Sequence, residues 1–160
     1  MPNWCENKLI ITTENEEQLK NFVERVKNPE ESTDLSFEKL LPCPAELSEL
    51  PSPNRDSSPD ECVELIKKYG HTDWYDWAVS NWGTKWDVDA RLDVFGPGFA
   101  IYLFESAWAP PVEWIKAAAL EYPDLYFTLK YDEPGLGFMG VFTVHGEVVS
   151  DQCINNYSLI

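Results

Sequence analysis

The stretch "DVDARLDVFGPGFAIYLFE", residues 87–105, decides the fold because its hydrophobic pattern repeats every second residue. In the first half, the apolar side chains that alternate with charged ones are Val88, Ala90, Leu92 and Val94. Such alternation is typical of a strand with one solvated face. "FGPG" (95–98) predicts a turn, and "FAIYLFE" (99–105) predicts a more buried partner strand. The stretch therefore predicts a β-hairpin.

The N-terminal segment predicts a strand followed by a helix. "NKLIITT" (7–13) is short and rich in β-branched residues, which favours a strand. Thr13 and Glu16 have the spacing of a capping box and predict the helix start, while Asn28 and Pro29 predict its end. The apolar positions of this helix share one face, and they are Leu19, Phe22, Val23 and Val26.

Residues 29–58 are rich in proline, serine and acidic residues and predict a loop. The exception is the apolar stretch "LSFEKLLP" (35–42), which predicts one strand that ends at Pro42. This segment begins an insertion of about residues 29–83 between the first helix and the hairpin.

Two helices complete the insertion. Ser58 followed by Glu61 predicts a capping box, and Gly70 predicts the end of that helix. The stretch "DWYDWAVSNW" (73–82) predicts a second helix that ends at Gly83, because a glycine just past the last turn adopts the left-handed conformation readily.

Beyond the hairpin, the sequence alternates again between helical and extended patterns. The predicted elements are a helix in residues 106–123, strands in 124–132 and 137–145 around the turn "EPGLG" (133–137), a short strand in 147–149, and a tail in 151–160. Short turns between neighbouring strands favour antiparallel or mixed pairing. The order predicts a single α+β domain over residues 1–150, a two-layer sandwich with helices on one face, related to the βαββαβ ferredoxin-like plan.

The composition restricts the partners that the protein binds. Its 160 residues carry 28 acidic and 12 basic side chains, a formal charge of -16, which disfavours nucleic-acid binding and favours a basic protein partner. The four cysteines lie far apart, with no CxxC and no histidine at ligand spacing, so we expect buried free thiols and neither metal nor cofactor. No signal peptide or membrane span is predicted, and we expect a cytoplasmic protein.

The first candidate site is "NWGTKWD", residues 81–87. Clustered tryptophans such as Trp82 and Trp86 can hold a ligand or a cation against their faces, with Asn81 and Lys85 as polar contacts. The alternative is structural: the tryptophans pack a short helix onto the sheet, and the charges are solvated.

Two further segments supply candidate residues. Asn3 and Trp4 precede the first predicted strand and could lie beside the same aromatic surface; the alternative is a structural amide and a buried ring. Glu133 stands where a strand enters a Pro-Gly turn, from which a carboxylate could point into a cleft. The alternative there is a solvated acid at a hairpin turn.

The sequence contains no catalytic constellation. Only two histidines are present, and the motifs of serine hydrolases, zinc proteases and nucleotide-binding enzymes are missing, which favours a non-enzymatic protein. An acidic alternation at Asp87, Asp89 and Asp93 predicts one negatively charged strand face, which is either a docking surface for a basic partner or an ordinary solvated face.

Four motifs carry a family resemblance. They are "MPNWCENKL" (1–9), "WYDWAVSNWGTKWD" (74–87), "AWAPP" (107–111) and "EPGLGFMG" (133–140), and together they resemble the YubB-like proteins of bacterial plasmids and phages. The resemblance implies a ferredoxin-like fold without an iron-sulfur cluster and assigns no catalytic residue. It favours a non-enzymatic accessory protein of a mobile genetic element that binds a protein partner. The alternative is a small-ligand-binding or enzymatic domain with a pocket at residues 81–86.

Overall fold

The computed structural model describes residues 1–155, which form one six-stranded sheet with helices packed on one of its faces. The helices and strands are β1 (Trp4–Thr12), α1 (Glu16–Val26), α2 (Phe37–Leu40), α3 (Ala45–Ser48), α4 (Pro59–Tyr69), α5 (Trp74–Trp82), β2 (Ala90–Gly96), β3 (Phe99–Ala107), α6 (Val112–Glu121), β4 (Tyr126–Glu133), β5 (Phe138–His145) and β6 (Val148–Asn155).

The strands follow the order β2-β3-β1-β4-β5-β6, and every neighbouring pair is antiparallel. Strands β2, β3, β1 and β4, with α1 and α6 as the connecting helices, have the ferredoxin-like arrangement, and β5 and β6 extend the sheet at one edge. The predicted α+β sandwich and its ferredoxin-like plan are confirmed. The predicted hairpins β2-β3 and β4-β5 are also present.

The two faces of the sheet differ in burial. Along β1, Cys5, Asn7, Leu9 and Ile11 are buried beneath the helices. The intervening side chains point to the other face, which no described helix covers and which we call the open face. Cross-strand partners lie on the same face of a sheet, so the residues paired with Glu6 and Lys8 in the neighbouring strands also lie on the open face.

Helix α1 buries the predicted face, and Leu19, Phe22, Val23 and Val26 all lie in the core. Its predicted capping box is wrong. The N-cap is Asn15, whose Oδ1 accepts a hydrogen bond from the N–H of Gln18 at 3.1 Å. Thr13 instead donates its hydroxyl to the carbonyl of Asp124 at 2.7 Å, so it joins α1 to the loop before β4.

The prediction of a strand in residues 35–42 is wrong, because residues Phe37–Leu40 form the short helix α2. Ser36 is the N-cap of α2, but its side chain makes no hydrogen bond to the first N–H groups of the helix. The carboxylate of Asp87 does so instead, accepting hydrogen bonds from the N–H groups of Phe37 at 2.6 Å and Glu38 at 3.3 Å. A distant residue therefore stabilises a helical turn that the local sequence does not predict.

Helices α4 and α5 follow their sequence signals. The capping box of Ser58 and Glu61 forms, and Gly70 ends α4 in the left-handed conformation. Gly83 ends α5 in the same way, with φ of 89°. On α5, Trp77 and Trp82 are buried. Residues 29–83 thus contain four helices, two of which the sequence predicts.

Strand β2 begins at Ala90 rather than at Asp87, and a bulge between Leu92 and Val94 breaks its alternation. Val94 is consequently exposed, although the sequence predicts it as an inward-facing residue. A bulge adds one residue to one strand of a pair and re-aims the side chains that follow it.

The last strand, β6, is longer than predicted, because Val148–Asn155 pairs with β5 along its whole length. The first five residues of the predicted tail (151–155) are therefore strand, and residues 156–160 lie outside the described residues. All four cysteines are free. Cys5 is buried, but Cys153 on β6 is exposed, which corrects the expectation of buried thiols.

Candidate functional site

The candidate site lies at the end of the sheet where β1 begins and where β3 and β4 end. The loop after α5 reaches this end because the hydroxyl of Thr84 donates to the carbonyl of Ala107 at 2.7 Å. The chain entering β1 is held there too, since the N–H of Trp108 donates to the carbonyl of Asn3 at 2.9 Å. Three segments that are remote in sequence therefore meet at one corner.

The exposed side chains of this corner are aromatic and basic. The rings of Trp4 and Trp86 are 42% and 41% exposed, and their centroids lie 6.3 Å apart at an interplanar angle of 42°. The Nζ atom of Lys85 lies 3.9 Å from the centroid of the Trp86 ring, in a cation–π contact. We call Trp4, Lys85 and Trp86 the aromatic corner.

A groove of about 580 Å³ leads from Trp4 onto the open face. Three exposed carboxylates line it: Glu6 on β1, Glu105 on β3 and Asp89 just before β2. Glu6 and Glu105 are direct cross-strand partners, so their side chains stand side by side on the open face. We call Trp4, Glu6, Asp89 and Glu105 the acidic groove.

Asn3 and Glu133 lie near this corner but serve the turn after β4. Glu133 is fully buried, and its carboxylate accepts hydrogen bonds from the N–H groups of Gly135 at 2.9 Å and Leu136 at 2.7 Å. Asn3 packs against Gly135 so closely that a Cβ there would come within 2.7 Å of the Asn3 Cγ. Glu133 is thus a buried acid that shapes the turn, and its carboxylate does not point into a cleft.

Asn81 and Trp82 lie on α5 and do not join the aromatic corner. The amide of Asn81 donates to the carbonyl of Trp77 at 2.9 Å, one helical turn earlier. Trp82 is 4% exposed, packs against Phe37 and Trp77, and donates its Nε1–H to the carbonyl of Leu41 at 2.9 Å. Trp82 is therefore mainly a core residue, with only a small part of its surface open to solvent.

The layer beneath the corner is a buried polar network. Asn7 donates its amide to the hydroxyl of Ser106 at 2.9 Å, and Ser106 donates in turn to the carbonyl of Ala109 at 2.6 Å. Cys5 lies beside this network, and burial together with the negative charge of Glu133 raises the pKa of its thiol to about 12. The thiol is therefore protonated at neutral pH and is a poor nucleophile.

The predicted acidic row at Asp87, Asp89 and Asp93 does not form. Asp87 turns inward to cap α2, and Asp93 forms an ion pair with Arg91 at 3.0 Å. Asp87 and Asp89 both line the acidic groove, but of the two only Asp89 is exposed, since the Asp87 carboxylate caps α2. The sequence does not identify Glu6 and Glu105 as neighbours, because only the pairing of β1 with β3 brings them together.

A second, smaller cleft of about 350 Å³ also includes Trp86 in its lining. The other lining residues include Trp74, Trp82, Lys85, Glu38 and Cys43. Burial and the nearby Glu38 carboxylate raise the pKa of Cys43 to about 11. Burial likewise raises the pKa of Glu38.

Within residues 1–155, no three histidine, cysteine or acidic side chains lie close enough together to hold a metal ion. Among the same residues, no helix has the length and apolar character needed to cross a membrane.

The fold is similar to the crystal structure of a protein api92 from Yersinia pseudotuberculosis, with a TM-score of 0.53 and 9% sequence identity over 95% of this chain and 98% of that chain. At this identity the likeness concerns the fold alone. No curated protein sequence matches the chain significantly. Residues 81–159 match a family model, and this part of the chain is thereby similar to the ferredoxin-like domain in Api92-like protein.

Proposed function

We propose that this protein is a non-catalytic binding protein that engages a basic segment of another protein through the acidic groove and the adjoining aromatic corner. The observation that carries the proposal is the placement of three exposed carboxylates around one exposed indole ring. Lysine and arginine side chains suit such a groove, because their apolar stems pack on the ring while their charged ends meet carboxylates.

Electrostatics within the groove favours a basic occupant. Glu6 and Glu105 are like charges directly opposite each other in an antiparallel pair, an arrangement that costs stability in the free protein. A cation placed between them would remove this repulsion. The formal charge of -16 adds long-range attraction, which raises the association rate for a basic protein.

The aromatic corner supports the same chemistry. Lys85 already rests on the ring of Trp86, so an indole at this corner accepts an ammonium group against its face. Trp4 stands beside this pair and is 42% exposed. A lysine or arginine of a partner would make the equivalent contact with Trp4 while its charge reaches Glu6.

The chemistry of the site favours binding over catalysis. The buried carboxylate of Glu133 is occupied by two backbone N–H groups, and the nearby thiol of Cys5 is protonated because burial raises its pKa to about 12. The exposed groups of the groove are carboxylates that face solvent, an arrangement suited to ion pairing.

We further propose that the protein is a cytoplasmic accessory factor of a phage or plasmid. The support is the resemblance of its tryptophan-rich motifs to YubB-like proteins and the presence of four free cysteines, which suit a reducing compartment.

Titration with hexalysine tests the groove. We expect binding that weakens steeply between about 20 and 200 mM salt, because exposed charges are increasingly screened over that range. The variants Trp4→Ala and Glu6→Gln/Glu105→Gln should each weaken binding by about tenfold. The matched control Glu16→Gln/Glu17→Gln, on α1, removes the same charge outside the groove and should change affinity by less than about twofold. Equal losses in the groove and control variants would show that only net charge matters and would refute the proposal.

A second experiment asks for the natural partner. The immobilised protein should retain a basic protein from lysate at low salt and release it at high salt. The Glu6→Gln/Glu105→Gln variant should fail to retain it. If wild type and variant retain the same proteins, or if neither retains any at low salt, the groove is not the docking site.

The cleft at Trp74 and Trp82 favours a second candidate function, the binding of a small ligand. Its volume of about 350 Å³ lies at the lower end of ligand sites, and Lys85 offers one charged contact at its rim. A thermal-shift screen against nucleotides, sugars and metal ions tests it, since a ligand specific for the folded state must raise the melting temperature. If no ligand raises it, this candidate fails.

A further inference from the structure

We propose that the open face of the sheet binds a second copy of this chain, face to face, about a two-fold axis that runs across the strands. The feature that supports this pairing is a pair of adjacent charged rows. The acidic row contains Glu6, Glu105 and Asp132, and the basic row contains Lys8 and Lys130.

The register of the strands defines both rows. Glu6 on β1 is opposite Glu105 on β3 and opposite Asp132 on β4. Two residues further along β1, Lys8 is opposite Lys130. All five side chains lie on the open face, because they alternate with the buried residues of their strands. The acidic row and the basic row therefore lie side by side across the centre of the sheet.

A two-fold axis between the rows exchanges them. Such an axis crosses β1 at Asn7, β4 at Tyr131 and β5 at Gly140, because these three residues are cross-strand partners. Rotation about it reverses the strand direction, so Glu6 of one copy faces Lys8 of the second copy. On β4, Asp132 faces Lys130 of the second copy by the same operation. A two-fold interface must be self-complementary, and these rows are complementary in charge.

Two pairs of apolar residues on the open face also match under this symmetry. Trp4 and Ile10 lie three residues on either side of Asn7, so the ring of Trp4 faces Ile10 of the second copy. On β5, Met139 and Val141 flank Gly140, so Met139 of one copy faces Val141 of the second copy. Further exposed apolar side chains of this face are Val94, Phe99, Tyr126, Val148 and Ile154.

The size of the face is that of a stable interface. The sheet has six strands. With strands ~4.8 Å apart and ~8 residues long at ~3.3 Å per residue, its open face covers on the order of 750 Å². Standard protein interfaces bury about 800 Å² on each partner. Face-to-face packing of two twisted sheets is a common arrangement, with the strands inclined by about 30°.

Charge also explains why the two copies must meet in this orientation. Each chain carries a formal charge of -16, so most mutual orientations are repulsive. Within one copy, the rows place like charges opposite each other, which is unfavourable for Glu6 with Glu105 and for Lys8 with Lys130. In the proposed dimer Glu6 gains Lys8 of the second copy and Asp132 gains Lys130, while Glu105 faces Leu103 of the second copy, next to its Lys8. The dimer would cover Glu6 and Glu105, so self-association and occupation of the acidic groove would exclude each other.

Sedimentation equilibrium on the full chain tests the proposal through charge reversal. We expect a dimer for the wild type and monomers for the variants Lys8→Glu/Lys130→Glu and Glu6→Lys/Asp132→Lys, because on β1 and β4 each variant presents a single sign of charge to its own copy. Mixing the two variants should restore a dimer with one copy of each. The control Lys20→Glu/Lys39→Glu makes the same charge change on α1 and α2 and should remain dimeric.

The proposal is overturned if the wild type stays monomeric up to about 100 μM. A dissociation constant above that concentration means a free energy of dimerisation weaker than about 5.5 kcal/mol. The proposal is also overturned if the two variants do not associate when mixed although circular dichroism shows both to be folded. The proposal does not depend on a basic partner. Lys8 and Lys130 lie outside the acidic groove, so the Lys8→Glu/Lys130→Glu variant should still bind hexalysine. If the dimer does not form, the hexalysine titration still tests the proposed function.

Discussion

The carboxylate of Asp87 accepts a hydrogen bond of 2.6 Å from the N–H of Phe37, a residue 50 positions earlier in the chain. The same carboxylate accepts a hydrogen bond from the hydroxyl of Ser36, which is fully buried. One acidic residue of the tryptophan-rich motif therefore caps α2 and joins the insertion to the sheet. This contact explains why "NWGTKWD" ends in an aspartate.

Replacement of Asp87 should destabilise the fold without touching the acidic groove carboxylates. We expect Asp87→Ala to lower the free energy of unfolding by about 2 kcal/mol, because capping contacts are worth about 0.5–2 kcal/mol and this one also leaves a buried hydroxyl unpaired. Asp87→Asn keeps one of the two acceptor oxygens and should lose less. Urea denaturation measures both. Equal stability of Asp87→Ala and wild type would show that the cap contributes nothing.

A comparison of Gly83 with Gly70 separates the free-energy cost of a close contact from that of the left-handed conformation. Both are left-handed helix ends, with φ of 89° and 78°. A Cβ on Gly83 would lie 3.1 Å from the carbonyl oxygen of Pro110, whereas one on Gly70 would meet nothing within 4 Å. We expect Gly70→Ala to cost about 1 kcal/mol, the penalty for the left-handed conformation alone. Gly83→Ala should cost clearly more in urea denaturation, and equal losses would contradict the close approach.

The tryptophans of the motif should separate into core and surface residues. Trp82→Ala should lower the free energy of unfolding by about 3–5 kcal/mol, because it empties a buried site and leaves the Leu41 carbonyl without its donor. Trp86→Ala should cost less than about 1 kcal/mol, since its ring is 41% exposed. Chemical denaturation of both variants checks this order. A larger loss for Trp86→Ala would contradict the assignment of Trp86 to the surface.

The thiol of Cys5 should make stability fall at alkaline pH. Its pKa is raised from 9.0 to about 12 in the folded protein by burial, with a smaller effect of Glu133. Below the unfolded value the thiol is protonated in both states and stability does not change. Above it the unfolded thiol ionises first, so stability is lost as pH rises toward the folded value. Between pH 9 and about pH 10 this one group should remove about 1 kcal/mol.

Cys5→Ala and Cys5→Ser should both flatten this loss, whatever their absolute stabilities, because neither side chain titrates in that range. Urea denaturation at several pH values measures the slope. The raised pKa values of Cys43 and Tyr102 act in the same direction, so part of the slope should remain in both variants. An unchanged slope in both would show that Cys5 does not contribute.

Most of the secondary structure follows from local patterns. Alternating residues in 87–105 predict the β2-β3 hairpin, and the capping box at Ser58 predicts α4, because both signals act between neighbours in the chain. The predictions for Thr13 and for residues 35–42 are wrong for one reason. Their side chains and N–H groups bond to Asp124 and Asp87, which are remote in sequence and enter only when the sheet assembles.

Local patterns in the chain are enough to predict the class of the fold and the ends of α4 and α5. Which of the acidic and tryptophan residues form surfaces depends on the assembled sheet. Pairing of β1 with β3 places Glu6 beside Glu105, and docking of the loop after α5 brings Trp86 to Trp4 while Trp82 enters the core. The physical reason is that hydrophobic periodicity and capping act within a few residues, whereas exposure and charge proximity depend on which strands become neighbours.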